Sequence, residues 1–208
     1  MQTVSLILNF VIFALTFITL ARMLTGGFGE KDKSVGIFKY FTTDSNILMG
    51  LAALTYALQM LPVLSGKSGA VPYWCVILKL TASAAVALTF ITVVVFLAPT
   101  CKEGYLDMFK RSGFYYHLVI PLLSIADFAL MPDSPEIPLV HTLIGIIPSV
   151  LYAIIYSVNV FSHAENGKVS GKYDWYGFVS AGTKFALPAA IIVIGCNYLL
   201  TLFLRLIR

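Results

Sequence analysis

Apolar residues run along this chain in long blocks broken by short polar stretches, with no period-two alternation. About 20 consecutive apolar residues carry a helix across a bilayer. By that measure six spans are predicted, over roughly 3–22, 45–64, 73–98, 115–131, 138–162 and 178–204. Strand alternation is missing, so a membrane β-barrel is not supported. The fold class expected is all-α: a polytopic membrane helical bundle of six transmembrane helices, forming a single domain over 1–208. Connections near 23–41, 99–114 and 163–177 are long, whereas 65–72 and 132–137 are tight and carry Gly or Pro turn signals.

Composition agrees with the pattern. Of 208 residues, 59% are hydrophobic and 12% charged, and the mean hydropathy is +0.88. A soluble domain averages about 25% charged residues. No length is left for a separate soluble domain, and the bilayer is the partner expected. The net charge of +4 comes without a basic cluster interleaved with aromatics, so a nucleic-acid partner is not expected. Cys75, Cys101 and Cys196 are odd in number and widely spaced, which signals neither a disulfide framework nor a zinc site. The first apolar run lacks a basic leader and a small-x-small cleavage site, so it is expected to stay as a span.

Charge sets an expected orientation. The long loops hold nine cations: Arg22, Lys31, Lys33, Lys39, Lys102, Lys110, Arg111, Lys168 and Lys172. Lys67, Arg205 and Arg208 make three on the other side, with Lys79 and Lys184 set aside at helix interiors or ends. That bias puts the long loops in the cytoplasm and both termini away from it. Tyr73 and Trp74, Tyr115 and Tyr116, and Tyr173, Trp175, Tyr176 and Phe178 open spans three, four and six. Such rings belong at headgroup depth and are read only as boundary markers. Even-numbered spans run parallel, so Thr42, His117 and the 173–178 aromatics share one face of the membrane. His141 falls on the other, and His163 returns to the first.

The polar groups that need explaining begin with Phe41-Thr42-Thr43-Asp44-Ser45-Asn46, at the mouth of span two. Hydrocarbon cannot satisfy such a run, so it must cap a helix, line a wet cavity or do chemistry. Thr42 or Thr43 as N-cap, with Asp44 at the positive end of the helix dipole, is the plain reading. It leaves Ser45 and Asn46, which share a helical face with Thr42, unexplained. Span four carries His117, Ser124 and Asp127 along one face, Asp127 lying about 15 Å beyond His117. A lone boundary histidine is usually just hydrogen-bonded, but an intramembrane carboxylate is a functional candidate. Two polar stripes on parallel helices point to a shared wet cleft.

Nucleophile-elbow, zinc-protease and phosphate-loop motifs are absent from the sequence. A hydroxyl and an imidazole remain, and they suffice for acyl transfer. The histidine takes the hydroxyl proton as the oxygen attacks a carbonyl, then returns it to the leaving alkoxide. Free N–H groups at a helix start can stabilise the oxyanion.

The run Lys39-Tyr40-Phe41-Thr42 with Ser45-Asn46, His117-x-x-x-Pro121 with Asp127, Tyr152 and Tyr156, and Tyr173-Asp174-Trp175-Tyr176-Gly177-Phe178 resembles the androgen-induced/FAR-17a family. The likeness is to its bacterial, Pr6Pr-type branch, which implies a bacterial inner (plasma) membrane. It implies a multi-pass threonine hydrolase cleaving fatty acid esters of hydroxy fatty acids. Thr42 would be the nucleophile and His117 the general base, with no metal or cofactor. The His-to-Pro spacing is one residue shorter than in animal members, and Tyr-Pro-Phe is usual where the last motif stands. Ser45, Asn46 and Asp127 are then expected at the substrate: the first two at the oxyanion, Asp127 setting local polarity or the histidine tautomer. The expected substrate is a lipid ester. A lipid acyltransferase using the same pair, or a non-catalytic lipid-binding or carrier protein, are the alternatives.

Overall fold

The structure is a computed structural model that describes residues 1–28, 35–131 and 135–208. Lys31 and Lys33, which enter the charge comparison, and part of the tight 132–137 connection lie outside those residues. Among the described residues five helices are long and apolar enough to cross a membrane: α1 (Gln2–Leu24), α2 (Phe41–Leu64), α3 (Tyr73–Thr100), α5 (Leu139–Ser162) and α6 (Thr183–Ile207). The sixth, α4 (Phe114–Ala129), is shorter. Its 114–129 range rises about 24 Å, against a hydrocarbon thickness of about 30 Å. An all-helical membrane bundle is therefore observed among the described residues. The expected span 115–131 appears as a helix too short to match the other five.

The bundle is built on α3. In its most apolar stretch 61% of the residues are buried, against 22% in α5 and 17% in α6. The reason lies in its small side chains. Ala82, Ser83, Ala84, Ala85 and Ala87 let neighbouring backbones approach closely, and all are at most 1% exposed. Elsewhere single glycines do this work. A Cβ on Gly50 of α2 would come within 2.9 Å of Thr16 on α1, and one on Gly145 of α5 within 2.5 Å of Thr201 on α6. Between helices the buried surfaces are mainly aliphatic and aromatic, as at Ile12, Met49, Val86, Tyr116 and Ile120.

Two local features shape the site. Tyr40 is the N-cap residue of α2, with extended backbone and no side-chain cap. Thr42 and Thr43 thus lie inside the first turn, which corrects the reading of either as the cap. Second, α4 opens with a wide π-helical stretch, Phe114–Val119, that contains His117. Pro121 has no N–H for the His117 carbonyl, so the regular ladder must shift at this turn.

Candidate active site

The N-terminus of α2, the last turns of α3, the inner faces of α5 and α6, and the 176–179 segment enclose a cavity with about 760 Å³ of empty space, part of it open to the outside. Most of its wall is hydrocarbon, including Leu88, Val93 and Leu97 of α3, Val160 of α5 and Val193 of α6. From Ala186 to Val193 it follows α6 inward for about two helical turns. Thr42 stands on the wall with Tyr152 and Tyr176, making a hydroxyl-rich end to an apolar slot. Thr43 points elsewhere and is 2% exposed.

That end is assembled from distant parts of the chain. Tyr152 on α5 donates its hydroxyl to the Lys39 carbonyl at 2.6 Å, and Trp175 donates its indole N–H to the Tyr152 oxygen at 2.9 Å. Tyr156 donates to the Asp174 carboxylate, whose second oxygen accepts the Val179 N–H at 3.1 Å. Rings pack around these bonds, with Tyr40 and Tyr176 edge-on at 6.0 Å and Tyr156 against Trp175 at 5.1 Å. The Lys39–Thr42 run and the Tyr173–Phe178 run thus meet across α5. The 173–178 aromatics were expected only as boundary markers, but Tyr176 and Phe178 form part of the cavity wall.

Tyr176 reaches furthest into this chemistry. Its phenol faces the Thr42 hydroxyl, the Tyr152 hydroxyl and the first backbone amides of α2 at Phe41 and Thr42. Those amides have no partner within the helix and α2 has no side-chain cap, so the phenol oxygen faces donors that every helix start leaves over. Burial pushes the Tyr176 hydroxyl up to about 12, so near neutral pH it keeps its proton and remains a donor. Gly177, at φ +72, makes the turn that follows it in a region glycine enters freely.

His117 is fixed differently. Its Nδ1 lies 2.6 Å from the Met108 carbonyl. A carbonyl only accepts, so Nδ1 carries the proton and Nε2 is left as the basic nitrogen. The bond depends on Gly113, where a Cβ would fall 2.3 Å from the Met108 oxygen and 3.1 Å from His117 Nδ1. Among the described residues no hydrogen bond joins His117 to Thr42, and His117 is not on the cavity wall. Their backbones are fastened together by Asn46. Its amide nitrogen donates to the Thr42 carbonyl at 2.7 Å and to the Tyr116 carbonyl at 3.2 Å.

The remaining expected site residues are turned toward helix packing. Ser45 is 1% exposed and bonds Thr89 of α3 at 3.0 Å and the Thr42 carbonyl at 3.2 Å. Asn46 is fully buried, and its Oδ1 has no partner among the described residues. Neither lines the cavity. Asp127 departs most from expectation. It forms an ion pair with Lys79 of α3 at 3.0 Å, both side chains fully buried, and accepts from Ser5 at 2.6 Å and Asn9 at 2.9 Å on α1. Lys79 also donates to the Asn9 side-chain oxygen. Ser124 bonds Ser83 at 2.9 Å and Met49 at 2.8 Å. The α4 stripe thus ties α4 to α1, α2 and α3, and the shared wet cleft expected between spans two and four is not what these polar groups form.

Sequence reasoning set Lys79 aside, and it gave Tyr176 no chemical role. A lysine inside an apolar run was the signal for the first. Antiparallel neighbours put Lys79, six residues into α3, at the depth of Asp127, near the end of α4. No local signal distinguishes Tyr176 from its aromatic neighbours. No family model matches the chain, and neither the curated proteins nor the solved structures contain a match.

Proposed function

We propose that this chain is an intramembrane hydrolase of lipid esters, with Thr42 as nucleophile and the cavity as the acyl-chain site. The observation that carries the reading is the Thr42 hydroxyl at the polar end of a mostly hydrocarbon slot, beside a protonated phenol. An ester with a long aliphatic acyl group matches both ends of such a slot. The resemblance to the threonine hydrolases of the androgen-induced family adds support through Lys39-Tyr40-Phe41-Thr42 and His117.

In the reaction, Thr42 Oγ forms a bond to the ester carbonyl carbon while its proton passes to His117 Nε2 through an intervening water. The carbonyl π electrons move onto oxygen, where the Tyr176 O–H donates to the oxyanion. Collapse expels the alkoxide, which takes the proton back from the imidazole. Water then repeats the sequence on the acyl-threonine and releases the fatty acid. No step calls for a metal or cofactor. Ser45 and Asn46 act by holding the first turn of α2 in place.

A second reading, a non-catalytic lipid-binding protein, is favoured by the absence of His117 from the cavity wall. One assay separates the readings. Purified protein in nanodiscs is given a labelled long-chain ester with and without a lysolipid acceptor. The hydrolase reading expects free fatty acid in both cases, lost in Thr42→Ala and in His117→Ala. Transfer of label to the lysolipid identifies an acyltransferase. Ester binding without turnover identifies the non-catalytic protein.

A further inference from the structure

We propose that the acyl chain reaches the Thr42 cavity sideways from the bilayer, through a gap between α5 and α6. The inference rests on the reading that the cavity takes an acyl chain, but not on its being cleaved there. A second, shallow hollow, mostly open to the outside, lies along the outer side of the same two helices. Its outer rim is hydrocarbon, with Ile154 56% and Val158 61% exposed in a segment long and apolar enough to cross a membrane. Ala153, Ser157 and Ala190 line both this hollow and the Thr42 cavity.

Those three side chains are the wall between the spaces, and all are small. Ala153 and Ser157 are one helical turn apart on α5 and so share a face, opposite Ala190 on α6. The pair of helices is also the least buried of the long spans, so its separation disturbs little packing. The headgroup end is covered instead. Trp175, Tyr152 and Lys39 are linked by hydrogen bonds beside Thr42, tying the 173–178 segment to α5 and to the turn that leads into α2. A hydrocarbon chain coming from the side leaves one apolar surround for another, whereas one coming from above must cross water and break those bonds.

The test is photolabelling with a diazirine-bearing fatty acid in nanodiscs, mapped residue by residue. Leu88 and Val93 are 3% and 1% exposed and face the cavity, whereas Val95 on the same helix is 67% exposed and reports simple contact with lipid. Label is expected on all three in the wild type. In Ala153→Trp and Ala190→Trp, label at Leu88 and Val93 is expected to fall at least about tenfold, with Val95 unchanged. Leu187→Trp, at a position 69% exposed and away from the seam, is expected to match wild type. Melting temperature is taken for each variant, and Ala190→Val replaces a tryptophan variant that melts early, with a smaller decrease expected.

Unchanged label at Leu88 and Val93 in the seam variants overturns the lateral route. Absence of label there in the wild type overturns the route together with the acyl-chain reading of the cavity. Since the readout needs no turnover, a failure of Thr42 as nucleophile leaves the result standing.

Discussion

The Lys79–Asp127 pair shows how much a single intramembrane charge depends on its partners. Both side chains are fully buried, and Asp127 also accepts from Ser5 and Asn9. Removing one charge leaves the other stranded, which costs about 3–5 kcal/mol in a buried pair. Asp127→Asn is therefore expected to lower the melting temperature strongly. Lys79→Met combined with Asp127→Leu is expected to recover most of the loss, because a buried pair replaced by apolar groups is often near neutral. Recovery of ester hydrolysis in the double variant would place the pair in assembly and outside the chemistry. Tyr176 gives a second expectation. Its folded value of about 12 lies above the ordinary 10.0, so the folded state holds a proton that the unfolded state loses. The stability it contributes is complete below pH 10 and is lost as pH rises toward 12. The alkaline fall in melting temperature should accordingly be smaller in Tyr176→Phe than in wild type. Thr42 and His117 stand out in the sequence as candidates for chemistry, because a hydroxyl and an imidazole at span mouths call for an explanation. It left Tyr176 unreadable, because an aromatic at headgroup depth has the same plain explanation whether or not it touches a nucleophile.

At the level of elements, the site depends on two irregular helix starts. The α2 start has no side-chain cap, so its first amides turn outward to Tyr176. The α4 start is a π stretch, and the 105–109 turn folds back to offer the Met108 carbonyl to His117. Gly113 makes that approach possible. Gly113→Ala must push the Met108 oxygen away, and it is expected to free the imidazole and reduce turnover of a long-chain ester about tenfold or more. Ester binding, read by displacement of a fluorescent fatty acid, should stay near wild type. Equal turnover in Gly113→Ala and wild type would remove His117 orientation from the chemistry. Helix existence was legible because apolar blocks are long. The depth match of Lys79 and Asp127 was missed with Lys79 set aside, although antiparallel spans carry both charges near one face. The length of α4 was not legible, because the apolar run continues past Ala129 to Met131 while the helix ends.

For the whole molecule, α3 is the buried axis and α5 and α6 the exposed flank. The cavity forms where that flank meets the axis, closed above by a segment from the long connection between α5 and α6. No sequence pattern announces such a space, because it arises from four helices and a loop that are far apart along the chain. If α4 crosses with the five long helices, both termini lie on one side, opposite the long loops that carry most of the lysines. Single cysteines at exposed Ser- or Lys-bearing positions of the 65–72 and 163–172 connections should then react with impermeant reagents from opposite sides. The central assignment, however, is the nucleophile. A fluorophosphonate with a long alkyl chain is applied to the wild type in nanodiscs and the modified residue is mapped by mass spectrometry. Modification is expected at Thr42, retained in Thr42→Ser, lost in Thr42→Ala, and slowed in His117→Ala. Equal labelling of Thr42→Ala and wild type, or modification at another hydroxyl such as Thr43 or Thr89, would contradict it.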